Sequence, residues 1–145
     1  MANNEKNSVL LLNSLPIYGG GEFFVYLLAK KLNSRGWNVH VSCIKDTELY
    51  NKCLKEDIKL FPLNYPVKHN RGVLKIARKI SAYIKHHKIE IVHSTTNYDR
   101  TAGAIAAKFS GIKHVTNIHS FHSIQHNLTH LVRNRMLTDV FAADG

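Results

Sequence analysis

The start of the chain changes from one hydrophobic pattern to another. Residues 8–13 contain a continuous apolar run, Val9 to Leu12, that ends at a turn, which is typical of a strand buried on both faces of a parallel sheet. After a glycine-rich loop, residues 22–34 carry apolar side chains at helical spacing, with Phe24, Leu28 and Leu32 among them. The two patterns predict a buried strand, a loop and an amphipathic helix, in that order.

This alternation of strand and helix patterns continues along the chain. Strands are predicted at residues 37–43, 58–63, 89–94, 113–118 and 140–143. Helices are predicted at residues 47–55, 72–87, 99–110 and 128–137. Such an order is typical of a parallel sheet covered by helices on both faces. The sequence therefore predicts an α/β, Rossmann-like three-layer domain with a mostly parallel sheet, and its 145 residues suit one such domain.

A glycine-rich loop joins the first predicted strand to the first predicted helix. Gly19, Gly20 and Gly21 permit a positive φ and a close approach of the backbone to a ligand. They lead directly into a helix, whose free N–H groups and dipole favour an anion such as a diphosphate or a phosphorylated acceptor. The loop has neither the G-x-G-x-x-G spacing of a dinucleotide site nor the Gly-Lys-Ser/Thr of a P-loop. The alternative is a tight turn without a ligand, in which Glu22 complements the helix dipole.

Two further loops are expected at the same edge of the sheet, since ligands of such sheets bind outside the carboxyl ends of the strands. One follows the fourth strand at residues 95–98, and the other follows the fifth strand at residues 119–127. In the second loop, the spacing of His119, His122 and His126 would suit a metal site on a helix. No carboxylate or cysteine joins them and the segment follows a strand as a loop, so no metal and no other cofactor is expected.

The chain carries an excess of basic residues, with a formal net charge of +10 and a pI near 9.8. An excess of this kind points to the partners of a protein and not to its fold. Four basic residues, Arg71, Lys75, Arg78 and Lys79, belong to one predicted helix or its start. They form either a solvated face or a surface that attracts anionic lipid head groups. Nucleic acid is a rival partner, but the chain has no recognised nucleic-acid-binding motif.

Short apolar runs and two isolated cysteines bear on the location of the protein. The run at residues 9–12 is too short to span a bilayer or to form the core of a signal peptide. Cys43 and Cys53 have no metal-type spacing, so they are expected to be reduced, partly buried thiols. We therefore expect a cytoplasmic protein that attaches peripherally to a membrane if the basic helix faces lipid.

The order of several short segments resembles the first half of family 4 glycosyltransferases of the GT-B fold. The loop Pro16-Ile17-Tyr18-Gly19-Gly20-Gly21-Glu22 is similar to the Pro-x-x-Gly-Gly-x-Glu loop of that family. The helix and turn that follow, at residues 27–32 and 35–39, are similar to its Leu-Ala-x-x-Leu and Arg-Gly-His-x-Val segments. Residues 89–94, 113–119 and 137–143 resemble its fourth, fifth and last strands. The resemblance covers almost the whole chain.

This resemblance implies roles for particular residues. In the family, the glycine loop lies near the donor diphosphate and the acceptor, which implies the same for Gly19, Gly20, Gly21 and Glu22. The histidine that ends the fifth strand lies beside the reacting sugar, which implies a catalytic role for His119 through hydrogen bonding and not through nucleophilic attack. Acceptor contacts are expected of Asn97 and Tyr98, which lie in the loop after the fourth strand. His93, in the fourth strand, is equally compatible with a structural role.

The resemblance also implies what the chain does and what it lacks. It indicates the N-terminal, acceptor-side domain of a retaining glycosyltransferase that moves a sugar from a nucleotide-sugar donor to a glycan or lipid-linked acceptor. The family's second, donor-binding domain is absent from residues 1–145, so this chain alone is expected to be inactive without that domain or a partner subunit. The alternatives are a non-catalytic acceptor-binding subunit of a split glycosyltransferase and a basic nucleic-acid-binding Rossmann-like module.

Overall fold

The computed structural model describes residues 7–65, 72–118, 132 and 136–143. Six strands alternate with four helices in these residues. The strands are β1 (Ser8–Leu12), β2 (Asn38–Ser42), β3 (Lys59–Leu60), β4 (Ile91–Ser94), β5 (Lys113–Ile118) and β6 (Val140–Ala143). The helices are α1 (Gly20–Ser34), α2 (Glu48–Lys55), α3 (Val73–His87) and α4 (Asn97–Ser110).

The six strands form one sheet in the order β3-β2-β1-β4-β5-β6, and every adjacent pair is parallel. This confirms the predicted Rossmann-like α/β class. The order reverses between β1 and β4, because the chain leaves β1 in one direction along the sheet and returns to its other side at β4. Ligands of doubly wound sheets bind at this switch point, outside the carboxyl ends of the strands.

Strand β1 is apolar from Val9 to Leu12 because it separates two cores. Leu10 and Leu12 pack on one face of the sheet with residues of α3 and α4. Val9 and Leu11 pack on the other face with residues of α1 and α2. All four side chains are at most 3% exposed. Because both faces of the strand pack against apolar side chains, these four positions do not alternate between apolar and polar residues.

Helix α4 lies unusually close to the sheet at Gly103. A Cβ built on this glycine would lie 2.5 Å from Ser94 Oγ and 2.8 Å from Leu12 Cδ1. The alanines that flank it, Ala102 and Ala104, are buried as well. This close packing of a small-residue helix occurs over β1 and β4, and it holds the start of α4 next to the switch point.

Several element boundaries in the structure differ from the predicted ones. Strand β3 is limited to Lys59–Leu60 and not 58–63, although the N–H groups of Phe61 and Leu63 still donate to β2 and its extension. Helices α1 and α4 each begin two residues before the predicted start, because the capping residues precede the acidic residue of the first turn. Most of the predicted helix at 128–137 lies outside the described residues.

Candidate functional site

The glycine loop enters α1 through an extended residue and not through a left-handed turn. Gly19 is the N-cap, with φ −144° and ψ −158°, and its N–H donates to Glu22 Oε2 over 2.9 Å. Positive φ values occur instead at Gly36, Gly72 and Gly111 among the described glycines. The three glycines permit a positive φ but do not adopt one, because Glu22 accepts a hydrogen bond from the Gly19 N–H and the loop enters the helix from extended backbone.

The next two glycines face open space. A Cβ added to Gly20 or to Gly21 would meet no atom within 4 Å. Both precede the first backbone hydrogen bond of the helix, in which Phe23 N–H donates to Gly19 O over 2.9 Å. Their N–H groups thus belong to the unpaired first turn of α1, at the positive end of the helix dipole. This arrangement leaves room for an anionic ligand against the backbone.

A hydrogen-bonded network at the carboxyl ends of β1 and β4, here named the switch-point network, fixes this loop in place. Asn13 Nδ2 donates to Glu22 Oε1 over 2.9 Å and to Thr95 Oγ1 over 3.4 Å. Thr95 Oγ1 donates in turn to Leu12 O over 2.7 Å. The network consists of six side chains, those of Asn13, Ser14, Glu22, Thr95, Thr96 and Asp99.

The second half of the switch-point network starts α4. Thr96 is the N-cap, and its N–H donates to Asp99 Oδ1 over 3.1 Å while its hydroxyl donates to Asp99 Oδ2 over 2.6 Å. Ser14 Oγ lies 2.7 Å from Thr96 Oγ1, so the loop after β1 is tied to the loop after β4. Burial raises the pKa of Asp99 to about 7, although its bonds to Thr96 act in the opposite direction.

A second group of polar residues, here named the β5-end cluster, lies beside this network. His93 Nε2 and Asn117 Oδ1 are 2.5 Å apart across β4 and β5. Arg100 Nη2 reaches the backbone oxygen of Asn117 over 2.8 Å. The cluster consists of His93, Arg100 and Asn117, together with Thr116, the neighbour of Asn117 in β5, whose side chain lies on the opposite face of the sheet from that of Asn117.

The remaining predicted site residues are placed as follows. Asn97 is exposed in the first turn of α4, and the side chain of Tyr98 in the same turn lies outside the described part of the structure. His119 follows β5 directly, but it lies outside the described residues, as do His122 and His126. Their predicted roles stay predictions. Among the described residues, no group of three or more His, Cys, Asp and Glu side chains is arranged to hold a metal ion.

Basic residues and cysteines lie away from this edge. Lys75, Arg78 and Lys79 are exposed on α3, whereas Arg71 lies outside the described residues. None of the helices described is both long enough and apolar enough to span a bilayer. Cys43 and Cys53 are buried, unbonded thiols, and burial raises the pKa of each to about 12. A thiol with so high a pKa is a poor nucleophile, which agrees with a packing role.

A cavity of about 530 Å³ opens at the opposite, amino-terminal edge of the sheet. Its lining includes Trp37, Lys59 and His87, and it contains no predicted site residue. The polar residues of the switch point are therefore separated from this cavity by the length of the strands.

Sequence reasoning missed the residues that organise the site. Asn13, Arg100 and Asn117 were not predicted to contribute, although a signal exists for two of them. Asn13 and Asn117 are polar residues at or near the carboxyl end of a buried strand. Packing in an apolar core does not explain an amide at this place, and ligands of such sheets bind at this edge. Arg100 has no comparable signal, because its role depends on the contact with β5.

Comparison with known proteins places this arrangement in a family. The sequence model of Glycosyltransferase Family 4 matches residues 18–143. A search of curated proteins finds no match to the chain.

Similar solved structures come from bacteria and carry the same fold. A glycosyltransferase from Rickettsia africae ESF-5 is 24% identical, with a TM-score of 0.75, over 84% of this chain and 32% of that one. MurG from Acinetobacter baumannii is 18% identical, with a TM-score of 0.70, over 95% and 41% of the two chains. Anabaena Alr3699/HepE, in complex with UDP and glucose, is 18% identical, with a TM-score of 0.70, over 92% and 37%. The chain thus spans about a third to two fifths of the length of these structures.

Proposed function

Because the chain belongs to Glycosyltransferase Family 4, we propose that it forms the acceptor-side domain of an enzyme that transfers a sugar from a nucleotide-sugar donor. The acceptor is a glycan or a lipid-linked molecule, and the anomeric configuration of the sugar is retained. A second domain or a partner subunit completes the donor site. The switch-point edge of the sheet forms one wall of the reaction cleft.

The open start of α1 is the observation that carries this proposal. The N–H groups of Gly20 and Gly21 lie at the positive end of a helix, with nothing within 4 Å of where their side chains would be. Two unpaired donors and a helix dipole suit a phosphate group. Glu22 is 4% exposed and is hydrogen-bonded to Asn13 and Gly19, so it supports the loop from its buried side. The diphosphate of the donor is proposed to approach the loop from the open side.

The donor class is inferred from the fold and from one relative. Anabaena Alr3699/HepE shares the fold of this chain and was solved with UDP-glucose as well as with UDP. A nucleoside-diphosphate sugar has the two phosphates that the start of α1 would accept. We therefore propose a nucleoside-diphosphate sugar as the donor of this protein.

The roles of the residues around the donor follow from their places after β4 and β5. Asn97 is exposed at the carboxyl end of β4 and is proposed to contact the acceptor together with Tyr98. His119 follows β5 and is proposed to hydrogen-bond the reacting sugar. The leaving phosphate then removes the proton of the acceptor hydroxyl, which attacks from the same face of the sugar that the phosphate leaves.

Attachment to a membrane is a separate part of the proposal. Lys75, Arg78 and Lys79 are exposed on α3, and Leu74 beside them is 58% exposed. Basic residues near an apolar side chain suit an anionic lipid surface, at about 1 kcal/mol per basic residue. Replacing the three basic residues with Glu should abolish sedimentation with phosphatidylglycerol vesicles. Equal sedimentation of this variant and the wild type would contradict membrane attachment through α3.

The enzymatic proposal is tested with the full-length protein and a panel of nucleotide sugars. We expect one donor to be consumed, and the anomeric proton of the product to show retained configuration by NMR. His119→Ala should lower turnover by about 100-fold to 1,000-fold, the loss of one hydrogen bond to the transition state. His86→Ala on α3, an exposed histidine, is the matched control and should leave turnover unchanged. Inverted configuration contradicts the retaining mechanism, and no consumption of any donor contradicts the function.

A further inference from the structure

Unpartnered buried polar atoms concentrate at the end of β5. Within the described residues, five buried side-chain atoms have no hydrogen-bond partner. Three of them, Arg100 Nε, Thr116 Oγ1 and Asn117 Nδ2, belong to the β5-end cluster. Buried polar groups in native proteins usually have hydrogen-bond partners. A concentration of unpaired groups therefore indicates a place where a ligand supplies the missing hydrogen bonds.

The same cluster holds its donors in fixed positions. Asn117 lies one residue beyond the last β4–β5 pair, Ser94 with Thr116, and its backbone oxygen accepts from Arg100 Nη2. The amide oxygen of Asn117 is taken up by His93, which leaves the amide N–H groups as its only spare capacity. Asn117 is 1% exposed, so those N–H groups have lost contact with bulk water. Both spare groups, Arg100 Nε and Asn117 Nδ2, are donors and require an acceptor.

The charge of Arg100 is compensated within the described residues only through space, by the neighbouring Asp99. None of the ion pairs in the described part of the chain involves this guanidinium. Its neighbour Asp99 directs both carboxylate oxygens to Thr96. Burial lowers the pKa of Arg100, yet an arginine keeps its charge at neutral pH. A half-buried cation with a free N–H and a fixed orientation suits a phosphate or carboxylate.

We propose that Arg100, whose guanidinium is held by the backbone oxygen of Asn117, binds an anionic group of the acceptor, and that the acceptor substrate of this protein is therefore a phosphorylated or carboxylated glycan. This inference rests on the proposed function. Arg100 lies in the first turn of α4, on the β4–β5 side of the switch point, whereas the donor diphosphate is assigned to the start of α1 on the other side. The two anions thus have separate binding groups.

Anion binding is tested first, without any assumption about catalysis. The full chain, labelled with ¹⁵N, is titrated with inorganic phosphate while the arginine Nε–H signals are followed by NMR. Sodium chloride at equal ionic strength is the control. We expect a saturable shift of the Arg100 signal, and smaller unsaturable shifts for exposed Arg35 and Arg78. Equal drift of all arginine signals, or no shift of Arg100, would overturn the inference.

Two substitutions then separate the acceptor from the donor as the source of the anion. In the transfer assay, Arg100→Gln should raise the KM of an anionic acceptor by about tenfold to a hundredfold, the loss of a charge-assisted hydrogen bond. The KM of the donor and of a neutral acceptor should stay unchanged. Lys108→Gln, an exposed basic residue of the same helix, is the matched control and should change none of these values.

The outcomes distinguish this inference from the proposed function. A raised donor KM in Arg100→Gln would assign the anion to the donor diphosphate and overturn the acceptor class. Arg100→Lys retains the charge but not the planar fork, so a partial rise in the acceptor KM supports direct contact. If no nucleotide sugar is consumed, the proposed function fails, whereas the phosphate titration still decides whether Arg100 binds an anion.

Discussion

The carboxyl edge of the sheet contains two polar regions that differ in how completely their groups are paired. In the switch-point network, the amide of Asn13 and the hydroxyls of Thr95 and Thr96 all have protein partners at 3.4 Å or less. In the β5-end cluster, Arg100, Thr116 and Asn117 each keep one buried polar atom without a partner among the described residues.

This difference separates scaffold from binding surface. A paired buried network gives rigidity and a unique arrangement of loops, because breaking any member leaves another group unsatisfied. An unpaired buried donor instead lowers stability and persists where it has a function to serve. The switch-point network is therefore interpreted as the support of the cleft, and the β5-end cluster as a part of its contact surface.

The largest expected effect is the change in the free energy of unfolding when Asp99, in the switch-point network, ionises. Burial raises the pKa of Asp99 to about 7, against 3.8 for the exposed group. Between these values the folded protein keeps a proton that the unfolded chain has lost. The free energy of unfolding should therefore fall as the pH rises from about 4 to about 7, and level off above it. At ~1.4 kcal/mol per pKa unit, the fall is on the order of 4 kcal/mol.

Asp99→Asn provides the measurement, because the amide cannot ionise. Urea unfolding of both proteins between pH 4 and pH 8 should show the variant gaining stability relative to the wild type up to about pH 7. Burial lowers the pKa of His40 to about 4, which acts in the opposite direction over the same pH range. Both proteins contain His40, so its contribution cancels in the difference. Parallel pH profiles would show that Asp99 does not titrate in this range.

A pair of isosteric substitutions compares the two regions directly. Thr95 Oγ1 donates to Leu12 O over 2.7 Å, so Thr95→Val should lower the free energy of unfolding by about 1–2 kcal/mol. Thr116 is fully buried and its hydroxyl has no partner among the described residues. Thr116→Val should therefore raise the free energy of unfolding by about 1 kcal/mol. Chemical unfolding of both variants tests the comparison, and changes of the same sign would contradict it.

The sequence predicted the fold well because the fold depends on pattern. The apolar run of β1 and the helical spacing of α1 each follow from local periodicity, and the α/β class and the family are confirmed. The first-turn carboxylates of α1 and α4 were assigned as helix starts, but Thr96 and Gly19 are the capping residues. A helix boundary depends on which hydrogen bonds form, and periodicity alone does not contain that information.

The candidate site was predicted only in part, for a physical reason. The glycine loop is contiguous in sequence, so its place at the start of a helix could be inferred. The contact of Arg100 with Asn117 joins residues 17 positions apart, and that of Asn13 with Thr95 joins residues 82 apart. Such contacts arise from strand order and register, which no single segment specifies.

The smallest expected effect is that of Gly20→Ala, which we compare with the same change at Gly103, a glycine with opposite surroundings. Gly20 begins α1 in open space, so Gly20→Ala should stabilise the fold by up to about 0.5–1 kcal/mol through helix propensity. In Gly103→Ala the new Cβ would lie 2.5 Å from Ser94 Oγ, so the same change should destabilise the fold by about 1–3 kcal/mol. Thermal unfolding measures the stability of both variants.

If the donor diphosphate contacts the start of α1, Gly20→Ala should also raise the donor KM in the full-length protein while it raises stability. A stabilised variant with an unchanged donor KM would mean that the open space above Gly20 is solvent only, and that the phosphate-binding assignment of the loop is wrong.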